Sequence, residues 1–272
     1  MFWSMMIGRS VDKELRVLEI FGPTVQGEGR LAGCPAYFIR FAGCDLRCSW
    51  CDSPAAVLPE IYTKEATRMQ SQEIAEAITE LSYGPRWVVL TGGNPGLLHL
   101  TQLVARLHSL NYKVMVETQG TIWKDWFYSV DDLCISPKPP SSGNMVTPEV
   151  FKNFLEKRWT QNEDKYLNFY KLAYLKVVVF DEEDYEYAVL MHEKFPKFDF
   201  FISAGTMTDY LPTISNPNPE PPPDGSSLNI TRQAISDRYR WLCEKISTDY
   251  RMKDVKALPQ LHVIAWGDER GR

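Results

Sequence analysis

Short apolar runs rich in β-branched and aromatic residues recur along the chain, and most are separated by stretches whose apolar positions follow a helical period. Strands are predicted at 16–21 (RVLEIF), 36–41 (AYFIRF), 86–91 (RWVVLT), 112–118 (YKVMVET), 132–136 (DLCIS), 174–180 (YLKVVVF), 198–203 (FDFFIS) and 261–266 (LHVIAW). Helices are predicted over 71–82, 96–110, 147–159, 182–195 and 230–247. The alternation marks parallel βα units and predicts an α/β fold. Periodicity alone leaves open whether the sheet is a closed or partial barrel or an open, doubly wound one.

One segment breaks the pattern. NPNPEPPPDGSS (216–227) can continue neither a helix nor a strand, and it predicts an exposed, proline-rich insertion at about 206–229 in a single domain spanning 1–272. Hydrophobic residues make up 44% of the chain and charged residues 24%, as in ordinary globular proteins. The net charge of −5 argues against a general nucleic-acid binder. No apolar run is long enough to span a bilayer, and MFWSMMIGRS (1–10) lacks the basic start and cleavage site of a signal peptide. A cytoplasmic protein is expected.

Six cysteines are present, but only Cys44, Cys48 and Cys51 cluster, within GCDLRCSWCD (43–52). In a cytoplasmic chain such a group points to a metal or redox site before a disulfide framework. Cys134 and Cys243 sit in an apolar run and a helical stretch and read as core thiols. The three-cysteine loop directly follows the strand AYFIRF, the position where active sites form in parallel α/β folds. Zinc is the rival ligand, but a structural zinc site needs a fourth donor, and His99, His108, His192 and His262 all lie far along the chain. A 4Fe-4S cluster can take three thiolates and keep one iron open.

VVLTGGNPG (88–96) is an apolar strand ending in a glycine pair. Gly92 and Gly93 allow the backbone close to a ligand, and Asn94 offers both a donor and an acceptor. Taken alone, the stretch reads equally as a strand-to-helix turn with Pro95 in the first helical turn.

The spacing of the three cysteines, with Trp50 just before the last, resembles the radical S-adenosylmethionine (SAM) superfamily. VQGEGRLAGCPAYFIRFAGCDLRCSWCDS (25–53) narrows the resemblance to the 7-carboxy-7-deazaguanine synthase family. TGGNP, ETQGT (117–121), SPKP (136–139), LKVVV (175–179) and PQLH (259–262) extend it over most of the chain. Two departures are visible: Asn94 stands where a Glu is common, and ETQG replaces the more usual ETNG.

The resemblance implies a partial or modified (β/α) barrel of the radical SAM type. It implies a 4Fe-4S cluster on Cys44, Cys48 and Cys51, SAM on the open iron, and Mg2+ at Ser53. Val25, Gln26, Gly27, Glu28, Arg40 and Thr91 would meet a pterin substrate, with Arg40 clamping its carboxylate. Trp50, Cys51, Asp52, Gly93, Asn94, Glu117, Ser136, Pro137, Lys138, Lys176, Val177, Val178 and Val179 would surround SAM. The implied reaction turns 6-carboxy-5,6,7,8-tetrahydropterin into 7-carboxy-7-deazaguanine and ammonia by radical ring contraction, with SAM regenerated. No residue is assigned as general base. An electron donor such as flavodoxin or ferredoxin and a homodimer are implied partners. The competing class is a radical SAM activating enzyme that installs a glycyl radical on a partner protein; QGEG and PQLH favour the small-molecule substrate.

Overall fold

The computed structural model describes all residues except 1–12, 82–83, 158–162, 208–210, 221–225, 268, 270 and 272, together with the side chains of 163–167. The element order is β1 (Leu15–Val25), β2 (Pro35–Phe41), α1 (Pro54–Val57), α2 (Pro59–Glu65), β3 (Thr67–Met69), α3 (Ser71–Glu80), β4 (Trp87–Gly92), α4 (Thr101–Ser109) and β5 (Lys113–Thr118). It continues with β6 (Asp132–Ile135), α5 (Pro148–Glu156), α6 (Glu163–Leu172), β7 (Ala173–Val179), α7 (Glu182–Lys194), β8 (Asp199–Ala204), α8 (Ser227–Thr248), β9 (Lys256–Leu258) and α9 (Leu261–Trp266). The described strands form one sheet in the order β3-β1-β2-β4-β5-β6-β7-β8-β9. β1 runs antiparallel to β2 and β3, and every pairing from β2 to β9 is parallel. The sheet runs from β3 to β9 without closing, as in a partial (β/α) barrel.

The alternation of side chains along the parallel strands builds two layers. Ile39, Leu90, Val116, Leu133, Leu175 and Ile202 point outward into the large core under the helices. Phe38, Val89, Met115, Cys134, Tyr174 and Phe201 point inward and pack into a second, smaller cluster. Each fully buried aliphatic side chain contributes roughly 1.5–3 kcal/mol. The next inward position along each strand is polar or small: Arg40, Thr91, Glu117, Ser136, Lys176 and Ser203. The apolar cluster is thus a floor, and the polar side chains stand above it at the C-terminal ends of the strands.

One predicted strand is a helix. LHVIAW forms α9, capped at its end by Gly267 with φ 65°. Five apolar residues and a histidine satisfy either period, and in the helix His262, Val263 and Trp266 share the face that lines the cavity. The short β9, which precedes α9, carries too few residues to show an alternation. The start MFWSMMIGRS lies outside the described residues. Of the proline-rich segment, residues 211–220 have neither helix nor strand, and α8 begins at Ser227. Among the described residues no helix is long and apolar enough to cross a membrane.

Candidate active site

A cavity of about 560 Å³ opens over the C-terminal ends of the strands. Cys44, Cys48 and Cys51 line one side of it, and Val25, Gln26, Gly27 and Glu28 line another. The wall between them holds Arg40, Thr91, Glu117, Ser136, Lys138, Lys176 and Val178. Part of the proline-rich segment, including Leu211, Pro217 and Asn218, also faces the cavity.

The cysteine loop is fastened at both ends. Its start is tied to the end of β4, where Gly93 N donates to Phe41 O at 3.0 Å and Asn94 N to Gly43 O at 2.8 Å. Gly93 is required there, because a Cβ on it would lie 2.0 Å from Gly43 O. The second half rests on the turn at Pro140–Ser142: Ser49 N donates to Ser142 O at 3.0 Å, and Trp50 Nε1 donates to Ser141 Oγ at 2.9 Å. Two donors approach the first sulfur, with Leu46 N 3.4 Å and Gln119 Nε2 3.6 Å from Cys44 Sγ.

All three thiols are free, and all three are raised above the ordinary thiol range, first by burial. Cys51 is pushed up to about 12 by burial and then by the Asp52 carboxylate. Thiolates here need a cationic partner. The donor set, three cysteine sulfurs on one loop with N–H groups aimed at the first, fits a 4Fe-4S cluster.

Opposite the cysteines lies a charged network. Lys176 Nζ donates to Glu28 Oε2, and Glu117 Oε1 lies 3.8 Å from the same ammonium. Gln26 Nε2 donates to Glu117 Oε1 at 3.3 Å, and Thr91 Oγ1 donates to Glu117 Oε2 at 2.8 Å. Burial works to raise the Glu28 carboxyl, but the Lys176 ammonium and then His262 outweigh it and hold the group down at about 2. Burial alone would lower the Lys176 ammonium, yet Glu28 raises it well above the ordinary lysine range. Glu28 Oε1 is buried with no hydrogen-bond partner among the described residues. Arg30 anchors the same turn from below, donating to Asp132 Oδ1 at 2.7 Å and to Lys171 O at 3.1 Å.

Arg40 crosses the cavity between Glu19 and Ser53, with Nε donating to Glu19 Oε1 at 2.5 Å and Nη1 to Ser53 Oγ at 2.6 Å. The residues around Ser53 do not form a magnesium site by themselves. The Ser53 hydroxyl is already engaged by the Arg40 guanidinium, and a single neutral oxygen beside a cation lacks the carboxylates that usually anchor Mg2+.

Most residues expected around SAM face the cavity, but four do not. Asn94 is 1% exposed and its amide is committed elsewhere: Oδ1 accepts from Gly96 N and Thr118 Oγ1, and Nδ2 donates to Asp45 Oδ1 at 2.8 Å. It braces the cysteine loop from outside, so a contact between its side chain and SAM is not what this geometry offers. Val177 and Val179 point outward into the core, and the buried Pro137 is not part of the lining, so only Lys176 and Val178 of the β7 run turn their side chains inward. Glu117 belongs with Gln26 and Thr91 rather than with Ser136 and Lys138.

Sequence reasoning missed Glu19, Gln119, Gln260 and His262, all of which line the cavity. PQLH carried a signal for the last two, but the strand prediction for LHVIAW hid their direction. In the helix, Leu261 N donates to Gly27 O at 3.1 Å, and His262 packs so closely on Gly27 that a Cβ there would lie 2.0 Å from Nδ1.

Residues 38–134 match the radical SAM superfamily. The 7-carboxy-7-deazaguanine synthase of Bacillus cereus is 36% identical over 261 residues, covering 95% of this chain and 99% of that protein. The enzyme of the same name from Bacillus subtilis is 37% identical, again over 95% and 99%. The crystal structure of QueE from Escherichia coli shares the fold with a TM-score of 0.60 at 19% identity, covering 92% of this chain and 95% of that one. These relatives favour the small-molecule reading over the glycyl-radical activating alternative. A three-cysteine loop over an open, mostly parallel sheet, and likeness across nearly the whole length of both relatives, place the chain in the 7-carboxy-7-deazaguanine synthase family of radical SAM proteins.

Proposed function

We propose that the chain is a carbon–nitrogen lyase that converts 6-carboxy-5,6,7,8-tetrahydropterin to 7-carboxy-7-deazaguanine and ammonia. The observation that carries this reading is the joining, in one cavity, of three cysteines with a buried Gln26–Glu28–Lys176–Glu117 network and the Arg40 guanidinium. When bound, the 4Fe-4S cluster and SAM supply the one-electron reduction and the hydrogen-abstracting radical that start the ring contraction.

The protein residues do the rest of the work of binding and orientation. Cys44, Cys48 and Cys51 hold the cluster, and Trp50, Gly93, Ser136 and Lys138 form the adjoining wall for SAM. Lys138 lies 5.7 Å from the Trp50 ring centroid and 3.4 Å from Ser136 Oγ, so its ammonium is positioned at that wall. Gln26 and Glu28 face the pterin, with amide and carboxylate groups suited to its donor and acceptor edge. Arg40 releases Glu19 to take the substrate carboxylate, a like exchange of one carboxylate for another on a planar fork. Thr91 is already engaged with Glu117 and fixes that carboxylate against the substrate side. Magnesium belongs to this reading only through the family likeness: Ser53 offers one oxygen, already engaged by Arg40, and no step is assigned to the ion.

The reading includes one radical SAM domain over 1–272 with an insertion at about 206–229, an electron donor such as flavodoxin or ferredoxin, a cytoplasmic setting and a homodimer. Anaerobic reconstitution of Cys48→Ala tests its first requirement. The variant is expected to lose the cluster and SAM cleavage together, whereas the unaltered protein takes up about four irons per chain. Turnover retained in Cys48→Ala contradicts the assignment.

A further inference from the structure

Asp184 lies in the first turn of α7, far in sequence from the cysteine loop, and is fully buried. Its carboxylate accepts three hydrogen bonds. Ser141 N reaches Oδ1 at 3.0 Å, and Ser141 Oγ and Phe180 N reach Oδ2 at 2.6 and 3.0 Å. The two residues that supply these donors, Ser141 and Phe180, flank Trp50. Because Ser141 Oγ gives its proton to Asp184, its lone pairs are turned to the Trp50 indole N–H, which donates to it at 2.9 Å. The Phe180 ring packs on the other side of the indole, with centroids 4.9 Å apart, and Arg238 holds Phe180 by a hydrogen bond to its carbonyl and by lying 5.3 Å from its ring.

We propose that Asp184 is a positioning residue for SAM, acting through Ser141 to fix the plane of the Trp50 ring. The inference rests on the functional reading above, in that Trp50 and the wall beside it receive SAM. A buried carboxylate with three donors holds a hydroxyl proton in one direction, where an amide could not. With Asn at 184 the amide oxygen can fill only one of the two acceptor places: either Ser141 N faces the amide N–H₂ and the turn is pushed from the side chain, or Ser141 Oγ and Phe180 N lose their acceptor and the hydroxyl is free to turn. The two serines of the turn at Pro140–Ser142 divide the work: the Ser141 side chain holds Trp50, and Ser142 Oγ closes the turn by donating to Pro139 O at 2.6 Å and accepting from Asn144 N at 3.0 Å.

The test uses anaerobically cluster-loaded protein, with iron content, SAM dissociation constant and pterin KM as readouts. Trp50→Phe keeps a ring and removes the N–H; Ser141→Ala removes its acceptor. Each is expected to weaken SAM binding about tenfold, the size of one such hydrogen bond, with iron content and pterin KM unchanged. The double variant is expected to weaken it no more than either single one, since both break the same bond. Asp184→Asn should give the same shift and add nothing in the Trp50→Phe background. Effects that multiply to about a hundredfold, unchanged SAM affinity in Ser141→Ala, or a pterin KM that rises in step with the SAM constant would each overturn the proposal. Should Asp184→Asn fail to fold, the Ser141 and Trp50 variants still decide it. An unaltered protein that loads its irons but binds no SAM overturns the functional reading itself, and this inference with it.

Discussion

Glu28 and Lys176 are buried beside each other, with side chains 12% and 6% exposed, so their charges are weakly screened. Glu28 is held down at about 2 from 4.5 in the folded chain, so its contribution to stability is complete above about 4.5 and is lost as pH falls from there toward about 2. Thermal unfolding of the protein without cofactor should therefore weaken across this acid window, and Glu28→Gln should flatten that dependence while costing about 3 kcal/mol at neutral pH, because Lys176 is left facing only the more distant Glu117. An acid limb unchanged in Glu28→Gln would show that other carboxylates set it. Arg40 makes a second residue-level case. Arg40→Ala should retain the cluster and raise the pterin KM by tenfold or more, the loss expected for a charge-assisted hydrogen bond; an unchanged KM would remove the carboxylate-clamp role.

At the level of elements, the longer strands were legible because their inward and outward residues alternate under two different demands, whereas the three-residue β3 and β9 were too short to show it. Val89 with Thr91, Met115 with Glu117, and Tyr174 with Lys176 each pair an apolar floor position with a polar position above it. Thr91, Glu117, Lys176 and Val178 therefore reach the cavity, while Val177 and Val179, expected there too, turn into the outer core. Helix α9 was not legible, since five apolar residues and one histidine in six positions carry no period of their own, and its start is tied to a distant segment by the Leu261 N to Gly27 O hydrogen bond. Glu19, Gln119 and Asp184 were missed for a related reason: their roles arise from contacts between segments far apart in sequence, Glu19 with Arg40, Gln119 with Cys44 and Asp45, and Asp184 with Ser141. The two departures from family pattern, Asn94 and Gln119, meet on one carboxylate, Asp45, which accepts from them at 2.8 and 2.6 Å. A Glu at 94 would place two carboxylates together there. The closeness of β4 to the cysteine loop yields a further prediction. Gly93→Ala must push Gly43 and Cys44 away, at a cost of about 1–3 kcal/mol, and iron content after reconstitution should fall while far-ultraviolet circular dichroism is retained. Full iron loading would mean that the loop tolerates the shift.

On the scale of the whole molecule, the open sheet gathers at one end groups that lie far apart in the chain: the turn at Gln26–Glu28, the cysteine loop, the ends of β4 to β7, and α9. The apolar floor beneath them and the helices outside supply rigidity, and the polar upper layer supplies the chemistry. Composition and charge set the class of molecule, the three-cysteine loop narrowed it to cluster chemistry, and the flanking motifs pointed to the substrate. The substrate assignment is the central claim and the one most directly open to measurement. Cluster-loaded protein, SAM and a reductant should be incubated anaerobically with 6-carboxy-5,6,7,8-tetrahydropterin and followed for the deazaguanine chromophore and ammonia. Formation of 7-carboxy-7-deazaguanine with equimolar ammonia is the predicted result; cleavage of SAM to 5′-deoxyadenosine with the pterin left unchanged would contradict it.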